Sequence, residues 1–213
     1  MLKDYQNLAI KKVRENAKEK IEEHRVYLER IINQYGVDVE KLINQLLQSS
    51  ITINFHPDRL SNNNKTVIEN LLEQGQYYGQ FRTGTTNGGK TAFVGGDRYL
   101  WEQRLFYNSY PDNAVDRPIY GALNILKYLD GASVRFGSCY FVLKKEIIDR
   151  CTFSYGDSST NPKLLCTSDT FVCVLTDLFR DVQNNGKLLN QVVSSEQEAL
   201  AILLNKINNY KII

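Results

Sequence analysis

The chain has 213 residues, of which 42% are hydrophobic and 23% charged, and its formal net charge is +2. This length and composition are typical of one globular domain, with or without a helical extension, and they exclude disordered and collagen-like classes. Near-neutral charge gives no overall nucleic-acid or membrane signature, so we expect neither partner. The sequence holds only two histidines, His24 and His56, which excludes a histidine-rich metal site.

Cysteine spacing and the first residues indicate where the protein works. The four cysteines are Cys139, Cys151, Cys166 and Cys173. No pair has the C-x-x-C spacing of a zinc site, so we expect no metal and reduced thiols. The first 20 residues are too charged for a signal peptide, and no stretch is apolar enough for a membrane-spanning helix. We therefore expect a cytosolic protein, or one delivered into a host cytosol by a specialised secretion system.

Residues 2–49 show charged and apolar residues at helical spacing, with no proline and Gly36 as the single glycine. The sequence around Gly36 predicts a helix end, and Asp38 is the predicted N-cap of a further helix over 39–49. We predict a helical N-terminal cap at 1–49, packed on a main domain at 50–213. A role of this cap in binding a partner is the alternative.

After residue 50 the pattern changes to short β-branched and aromatic runs separated by glycine-rich breaks. Strands are predicted at 51–55, 77–82, 122–126, 137–143 and 152–155. Helices are predicted at 62–74, with Ser61 as N-cap, at 101–107 and at 196–209. Residues 169–183 fit either a strand or a helix. The run at 137–143 is the most apolar, so it is predicted to be the central strand. Strands and helices do not alternate regularly, which predicts an α+β fold.

Residues Gly84–Thr91 match the phosphate-binding P-loop pattern G-x-x-x-x-G-K-[ST]. The apolar run that ends at Asp177 resembles the strand that holds magnesium in P-loop enzymes. However, a P-loop needs a buried strand before it and a helix after it. The preceding residues are polar and aromatic, and Gly95-Gly96 disfavours a helix that starts at the loop. A P-loop nucleotide hydrolase is therefore an alternative rather than the main hypothesis.

Six polar, glycine-rich and aromatic strings are typical of sites at strand ends. They are ITINFHPDR (51–59), FRTGTTNGG (81–89), GGDRYLWEQRLF (95–106), RPIYGALN (117–124), RFGSCYFVL (135–143) and TFSYGDS (152–158). Together they resemble a family of bacterial proteins catalogued as a domain of unknown function. Part of that family resembles mono-ADP-ribosyltransferases, including effectors that modify a threonine of ubiquitin. The resemblance covers residues 50–160.

This resemblance implies a split β-sandwich core of the ADP-ribosyltransferase type, with NAD as the substrate. It also implies a protein acceptor, modified on a Thr or Ser hydroxyl, with ubiquitin as a candidate, and we expect a monomer. The reaction breaks the bond between nicotinamide and ribose through an oxocarbenium-like transition state. Such an enzyme needs a cation for the pyrophosphate, an aromatic wall for nicotinamide and a carboxylate near the ribose.

The resemblance also implies which residues bind NAD. Arg59, at the end of the first strand, is the candidate cation because its planar guanidinium bonds phosphate bidentately. His56 is a candidate partner of the adenosine ribose. Phe93 is assigned to the nicotinamide wall. The element Thr83-Gly84-Thr85, with Gly88 in the same loop, stands where these enzymes carry a Ser-Thr-Ser-like strand end.

The catalytic carboxylate has two candidates. Asp157, after the TFSY string, is preferred, and with Arg59 and Phe93 it completes the predicted catalytic set. Glu102 is the rival, although its sequence context favours a surface pair with a nearby arginine. Arg135 is expected to bind phosphate or to brace Asp157. Besides the P-loop hydrolase, a non-catalytic protein-binding module is the remaining alternative.

Overall fold

The computed structural model describes residues 2–61, 63–83, 92–160 and 162–208. The chain forms two compact units, and each combines two stretches of sequence. The first unit is Met1–Ala9 with Ser50–Lys144, and the second is Ile10–Ser49 with Lys145–Ile213. The predicted division at residues 49 and 50 stays a prediction.

Helices predominate, and the sheets are small and antiparallel. The α-helices of the described residues are α1 (Asp4–Lys18), α2 (Ile21–Ile32), α3 (Val39–Leu46), α4 (Val67–Gln74), α5 (Gln80–Thr83), α6 (Asp97–Leu105), α7 (Val172–Asn185) and α8 (Glu196–Asn208). The β-strands are β1 (Ile51–Phe55), β2 (Ala122–Leu123), β3 (Cys139–Val142), β4 (Lys187–Leu188) and β5 (Gln191–Val192). The protein therefore has a mixed α+β fold, as the sequence predicts.

The predicted helical character of residues 2–49 is confirmed by α1, α2 and α3, with one further break, between Lys18 and Ile21, that the sequence did not indicate. Gly36 ends the 3₁₀ turn Asn33–Tyr35, which follows α2, with φ of 71°, a left-handed conformation that suits glycine. The Asp38 side chain accepts a hydrogen bond from the Lys41 amide over 2.7 Å, as expected of an N-cap. Both signals lie within a few residues of the groups they bind, which is why the sequence locates them.

The ambiguous segment 169–183 is helical and forms most of α7, which packs against α2 in the core of the second unit. Its apolar residues are buried on several faces, including Leu175 and Phe179. The apolar run 171–175 by itself does not distinguish a strand from a helix, although the polar residues Asp177, Arg180 and Asn184 follow it at helical spacing. The Thr176 hydroxyl donates to the His24 carbonyl over 3.2 Å and joins the two helices.

A three-stranded antiparallel sheet with the order β2-β1-β3 lies in the first unit. The prediction that 137–143 is the central strand is wrong, because β1 is central and β3 is an edge strand. β1 pairs through Thr52 with β2 and through Ile53 with β3. Phe141 of β3 packs on Phe55 of β1 with ring centroids 4.8 Å apart. Only alternate residues of β3 point to this face of the sheet.

Two local predictions beside β1 are also wrong. Residues 77–82 do not form a strand, and Gln80–Thr83 is a short helix. The helix predicted at 62–74 begins only at Val67, because Thr66 is its N-cap and forms a reciprocal capping box with Glu69. Ser61 instead donates to the Lys65 carbonyl over 2.8 Å and closes the turn before the helix.

Two other predicted strands are shorter than expected. The strand at 122–126 ends at Leu123, since the Asn124 side chain accepts from the Tyr128 amide and donates to the Tyr128 carbonyl in a turn. At 152–155 the only ladder contact in the described chain is a single bridge between Phe153 and Cys166. By contrast, the helix predicted at 196–209 is confirmed as α8.

Candidate functional site

A pocket of about 500 Å³ lies in the first unit, at the end of β1. Phe55 and His56 line it from the strand end, and Asn70 lines it from α4. Arg82 and Thr83, from α5, complete the part of the wall that carries charge and hydroxyl groups. Its volume falls within the range of small-molecule sites, which combine apolar surface with a few polar groups.

Backbone hydrogen bonds hold the HPDR turn, which follows β1, against the start of α4. The Pro57 carbonyl accepts from the Ile68 amide over 3.0 Å, and the Arg59 carbonyl accepts from the Val67 amide over 2.9 Å. These bonds satisfy amide groups of the first helical turn, which have no partner within the helix itself. Arg59 is thus held on a fixed backbone four residues after β1, although its side chain is not among the residues that line the pocket.

Amide side chains form one wall of the pocket. The Asn70 amide donates to the Ser61 hydroxyl over 2.7 Å and to the Thr66 carbonyl over 3.0 Å. Gln74 lies one helical turn further along α4 and lines the same pocket. The Asn70 carbonyl oxygen also accepts from Asn63 over 2.8 Å, so Gln74 is the amide of this wall whose donor and acceptor suit the hydroxyls and ring nitrogens of a nucleoside.

Tyr77 contributes a flat aromatic surface to the pocket. Its ring centroid lies 6.1 Å from that of Phe55 and 5.7 Å from that of Phe141. Burial raises the pKa of Tyr77 above its ordinary value, which further favours the protonated hydroxyl. The pocket therefore joins an aromatic wall, an amide wall and the cation of Arg82, whose guanidinium lies 4.4 Å from the Tyr78 ring centroid.

The loop that carries Arg135 is clamped to β1. The Asn54 side chain donates to the carbonyls of Asp130 and Gly137 over 2.9 and 3.1 Å, and it accepts from the Ser133 amide over 3.2 Å. Gly137 lies so close to β1 that a Cβ there would be 1.9 Å from the carbonyl of Phe55. Arg135, two residues earlier, is thereby held near the strand end that contributes His56.

Glu102 is the centre of a fully buried charge cluster, so the expected surface pair is wrong. Its carboxylate accepts from Arg98 Nε over 3.0 Å, from Arg117 Nη1 over 3.3 Å and from the Tyr120 hydroxyl over 3.2 Å. Burial raises the pKa of Glu102, and the two guanidinium charges oppose that rise. Arg98 also donates to the Gln80 side chain, which lines the pocket. The buried cluster therefore fixes the position of one lining residue.

Two of the predicted site residues lie together in the first unit. His56 and Thr83 both line the pocket. Phe93 belongs to the same unit, heads a turn closed by the Gly96 amide and is 60% exposed. Asp157 belongs to the second unit, where its carboxylate accepts from the Ser159 amide over 2.8 Å. Gly84, Thr85 and Gly88 lie outside the described residues, and the catalytic and NAD-binding assignments stay predictions.

The surroundings of the P-loop-like motif do not match a P-loop. The motif itself, Gly84–Thr91, lies outside the described residues. The described residues directly before it form the helix α5 instead of a strand, and α6 begins only at Asp97. Asp177 lies inside the helix α7, not at the end of a strand. The strand–loop–helix context that this motif requires is therefore absent from the part of the chain that the structure describes.

A family model described as Protein of unknown function (DUF3626) matches residues 50–211, which is well over half of the chain. The protein belongs to the DUF3626 family. The match includes all six strings that carry the resemblance and the whole described lining of the pocket. No curated protein matches the sequence. The predicted membership in a family of unknown function is thus confirmed, whereas the family description names no activity.

Sequence reasoning missed part of the site in this DUF3626 protein. It placed His56 and Thr83 but not Tyr77 or Asn70, which were assigned to a strand and to an unremarkable helix. Asn70 and Gln74 are four residues apart, so their spacing on one helix face was a usable signal. Among the described residues, no three metal-ligating side chains cluster, and no helix has the length and apolar character needed to cross a bilayer.

Proposed function

We propose that the protein is a mono-ADP-ribosyltransferase that moves ADP-ribose from NAD to a Thr or Ser hydroxyl of a protein, with ubiquitin as the candidate acceptor. The observation that carries the proposal is the pocket. His56 comes from the string ITINFHPDR, and Arg82 and Thr83 come from FRTGTTNGG. These two strings, which carry much of the resemblance to ADP-ribosyltransferases, thus contribute to one cavity of nucleotide size.

The pocket chemistry supports a dinucleotide such as NAD. Tyr77 offers an aromatic face for a planar ring, and such stacking contributes about 1–3 kcal/mol per base. Gln74 offers an amide group for hydroxyls and ring nitrogens, and Asn70, whose amide is already bonded to Ser61, Asn63 and Thr66, shapes the wall beside it. Arg82 lines the pocket, and Arg59 follows His56 in the turn fixed to α4. A guanidinium is the side chain best suited to a pyrophosphate, since it donates two parallel hydrogen bonds.

The proposed reaction needs no metal. The bond between ribose C1 and the nicotinamide nitrogen breaks, and nicotinamide leaves with the electron pair. The acceptor oxygen then bonds to C1 and loses its proton to a carboxylate or to water. Developing positive charge on the ribose resembles that in glycoside hydrolysis. Phe93, largely exposed and next to the FRTGTTNGG string, is our candidate for the wall that holds nicotinamide.

The geometry of Glu102 narrows the choice of carboxylate. Its two oxygens are occupied by Arg98, Arg117 and Tyr120, and the side chain is fully buried. A carboxylate in that position supports structure rather than touching a substrate. Asp157 remains our candidate, and the proposal that NAD binds in the pocket does not depend on it.

Calorimetry with NAD and a transfer assay with labelled NAD and ubiquitin test the proposal. We expect NAD to bind, and we expect Arg59→Ala to abolish transfer of the label. Arg104→Ala is the matched control, since Arg104 is an exposed arginine of α6 in the same unit. Asp157→Ala should abolish transfer and leave NAD binding intact. Absence of NAD binding, or hydrolysis of ATP that depends on Lys90, would contradict the proposal.

A further inference from the structure

The edge strand β3 has an open side. In an antiparallel pair, alternate residues turn their N–H and C=O groups to the partner strand. The Leu143 amide donates to the Ile51 carbonyl over 2.9 Å, and Phe141 is paired with Ile53. Tyr140 and Val142 lie between these positions, so their backbone groups point away from β1. No described residue provides a hydrogen bond to those outward groups.

Exposed apolar side chains accompany the open edge. Tyr140 and Val142 share one face of β3, opposite to the face on which Phe141 packs against Phe55. Val142 is 60% exposed and Leu129 is 94% exposed. The Tyr140 hydroxyl donates to the Leu129 carbonyl over 2.8 Å, which places Leu129 beside the strand. An added strand would find both backbone partners and an apolar strip here.

The charge around the edge favours one class of partner. Between residues 127 and 144 the basic residues are Lys127, Arg135 and Lys144, and the one acidic residue is Asp130. A second copy paired antiparallel with β3 would bring its Lys144 towards the Arg135 end of the first, and like charges across a sheet are destabilising. A lysine beside an edge strand also disfavours non-specific pairing. A partner strand that carries Asp or Glu is attracted instead.

We propose that β3 is the docking edge for an acidic, extended segment of the acceptor protein, which adds to the sheet as a fourth strand next to β3. The identity of the partner as the acceptor rests on the proposed transferase function. Phe141 packs against Tyr77, which lines the pocket, so β3 lies next to the pocket wall. A strand added to the outer side of β3 would lie two strand spacings, about 10 Å, from β1. Main-chain hydrogen bonds supply affinity in such strand addition, and side chains supply specificity.

The test uses the full chain without NAD and a labelled hexapeptide of alternating glutamate and valine. The matched probe replaces every glutamate by lysine. We expect the acidic peptide to slow hydrogen exchange at the Tyr140 and Val142 amides and the lysine peptide to have no effect. Val142→Pro removes one outward N–H and leaves the pairs with β1, so it should weaken binding at least tenfold. Val142→Thr keeps the N–H and should bind like the wild type.

A second variant keeps the test decisive if the proline disturbs the strand. Lys144→Glu should reverse the preference of the protein between the two peptides, so that it binds the lysine peptide better than the acidic one. Equal protection by both peptides, protection that survives Val142→Pro, or self-association through β3 would each overturn the proposal. Peptide binding without NAD binding would remove the transferase function alone, whereas NAD binding without peptide binding would remove the docking edge alone.

Discussion

The guanidinium of Arg98 donates a hydrogen bond to the carboxylate of Glu102 across 3.0 Å, four residues along α6, with both side chains buried. Arg117 approaches the other carboxylate oxygen from a segment that follows α6, 15 residues after Glu102. A pair that would contribute little on a helix surface is therefore part of the core of the first unit. Its role is to fix α6, the segment around Arg117 and the pocket residue Gln80 to one another.

Glu102→Ala should strongly destabilise the first unit. Removal of the carboxylate leaves two buried guanidinium groups without their counter-charge, and the loss of one member of a buried ion pair costs about 3–5 kcal/mol. Urea denaturation followed by tyrosine fluorescence measures the free energy of unfolding. The control is Glu73→Ala, which removes an exposed pair with Lys65 and should cost less than about 1 kcal/mol. Equal effects of the two changes would contradict the structural role of Glu102.

Gly137→Ala should displace the loop that carries Arg135. The added Cβ would lie 1.9 Å from the Phe55 carbonyl, and the φ angle of 142° is unfavourable for any other residue. We expect a loss of at least about 3 kcal/mol, because the close neighbour is backbone and cannot rotate away. Gly95→Ala is the control: it has a similar backbone restriction, with φ of 84°, and nothing within 4 Å. It should cost only about 1–2 kcal/mol, and thermal unfolding distinguishes the two.

His24 should make the stability of the second unit depend on pH. Burial lowers the pKa of His24 below 6.5, with a further contribution from the Arg180 charge, while Asp177 and Glu23 act in the opposite direction and Lys20 lowers the pKa slightly. Its Nδ1 atom has no hydrogen-bond partner among the described residues. Below pH 6.5 the unfolded chain binds a proton that the folded chain resists, so stability present above that pH is lost as pH falls.

Hydrogen exchange of the α2 and α7 amides at several pH values measures this effect. Protection should decrease as the pH falls from about 7 to 5. In His24→Gln the decrease should be much smaller, since glutamine does not titrate. Protection that falls equally in both proteins would show that carboxylates, rather than His24, cause the loss of stability at low pH.

His56→Ala tests the pocket without removing the catalytic candidates. A lost hydrogen bond to a nucleotide should weaken NAD binding about tenfold, which corresponds to about 1.4 kcal/mol. The melting temperature should stay close to that of the wild type, because His56 is only half-buried. Leu72→Ala, at a residue of α4 that is 79% exposed, should change neither quantity. An unchanged affinity in His56→Ala would place the NAD site elsewhere.

Much of the local structure could be predicted from the sequence. The helices of residues 2–49, the N-cap at Asp38, the strand β1 and the final helix all depend on spacing and on side chains that bind a neighbouring backbone group. The errors beside β1 had a local cause as well. Ser61 and Thr66 are both good N-caps, and only the glutamate three residues after Thr66 distinguishes them.

The sequence alone determined the α+β class, the helices of residues 2–49, the strand β1 and the final helix. It contained these because caps, turns and hydrophobic spacing act over a few residues. The tertiary structure decided that β1 rather than β3 is central, that Val172–Asn185 is a helix, and that Glu102 is buried between Arg98 and Arg117. Each of these depends on which distant segments compete for the same buried surface, and that competition is settled only when the whole chain packs.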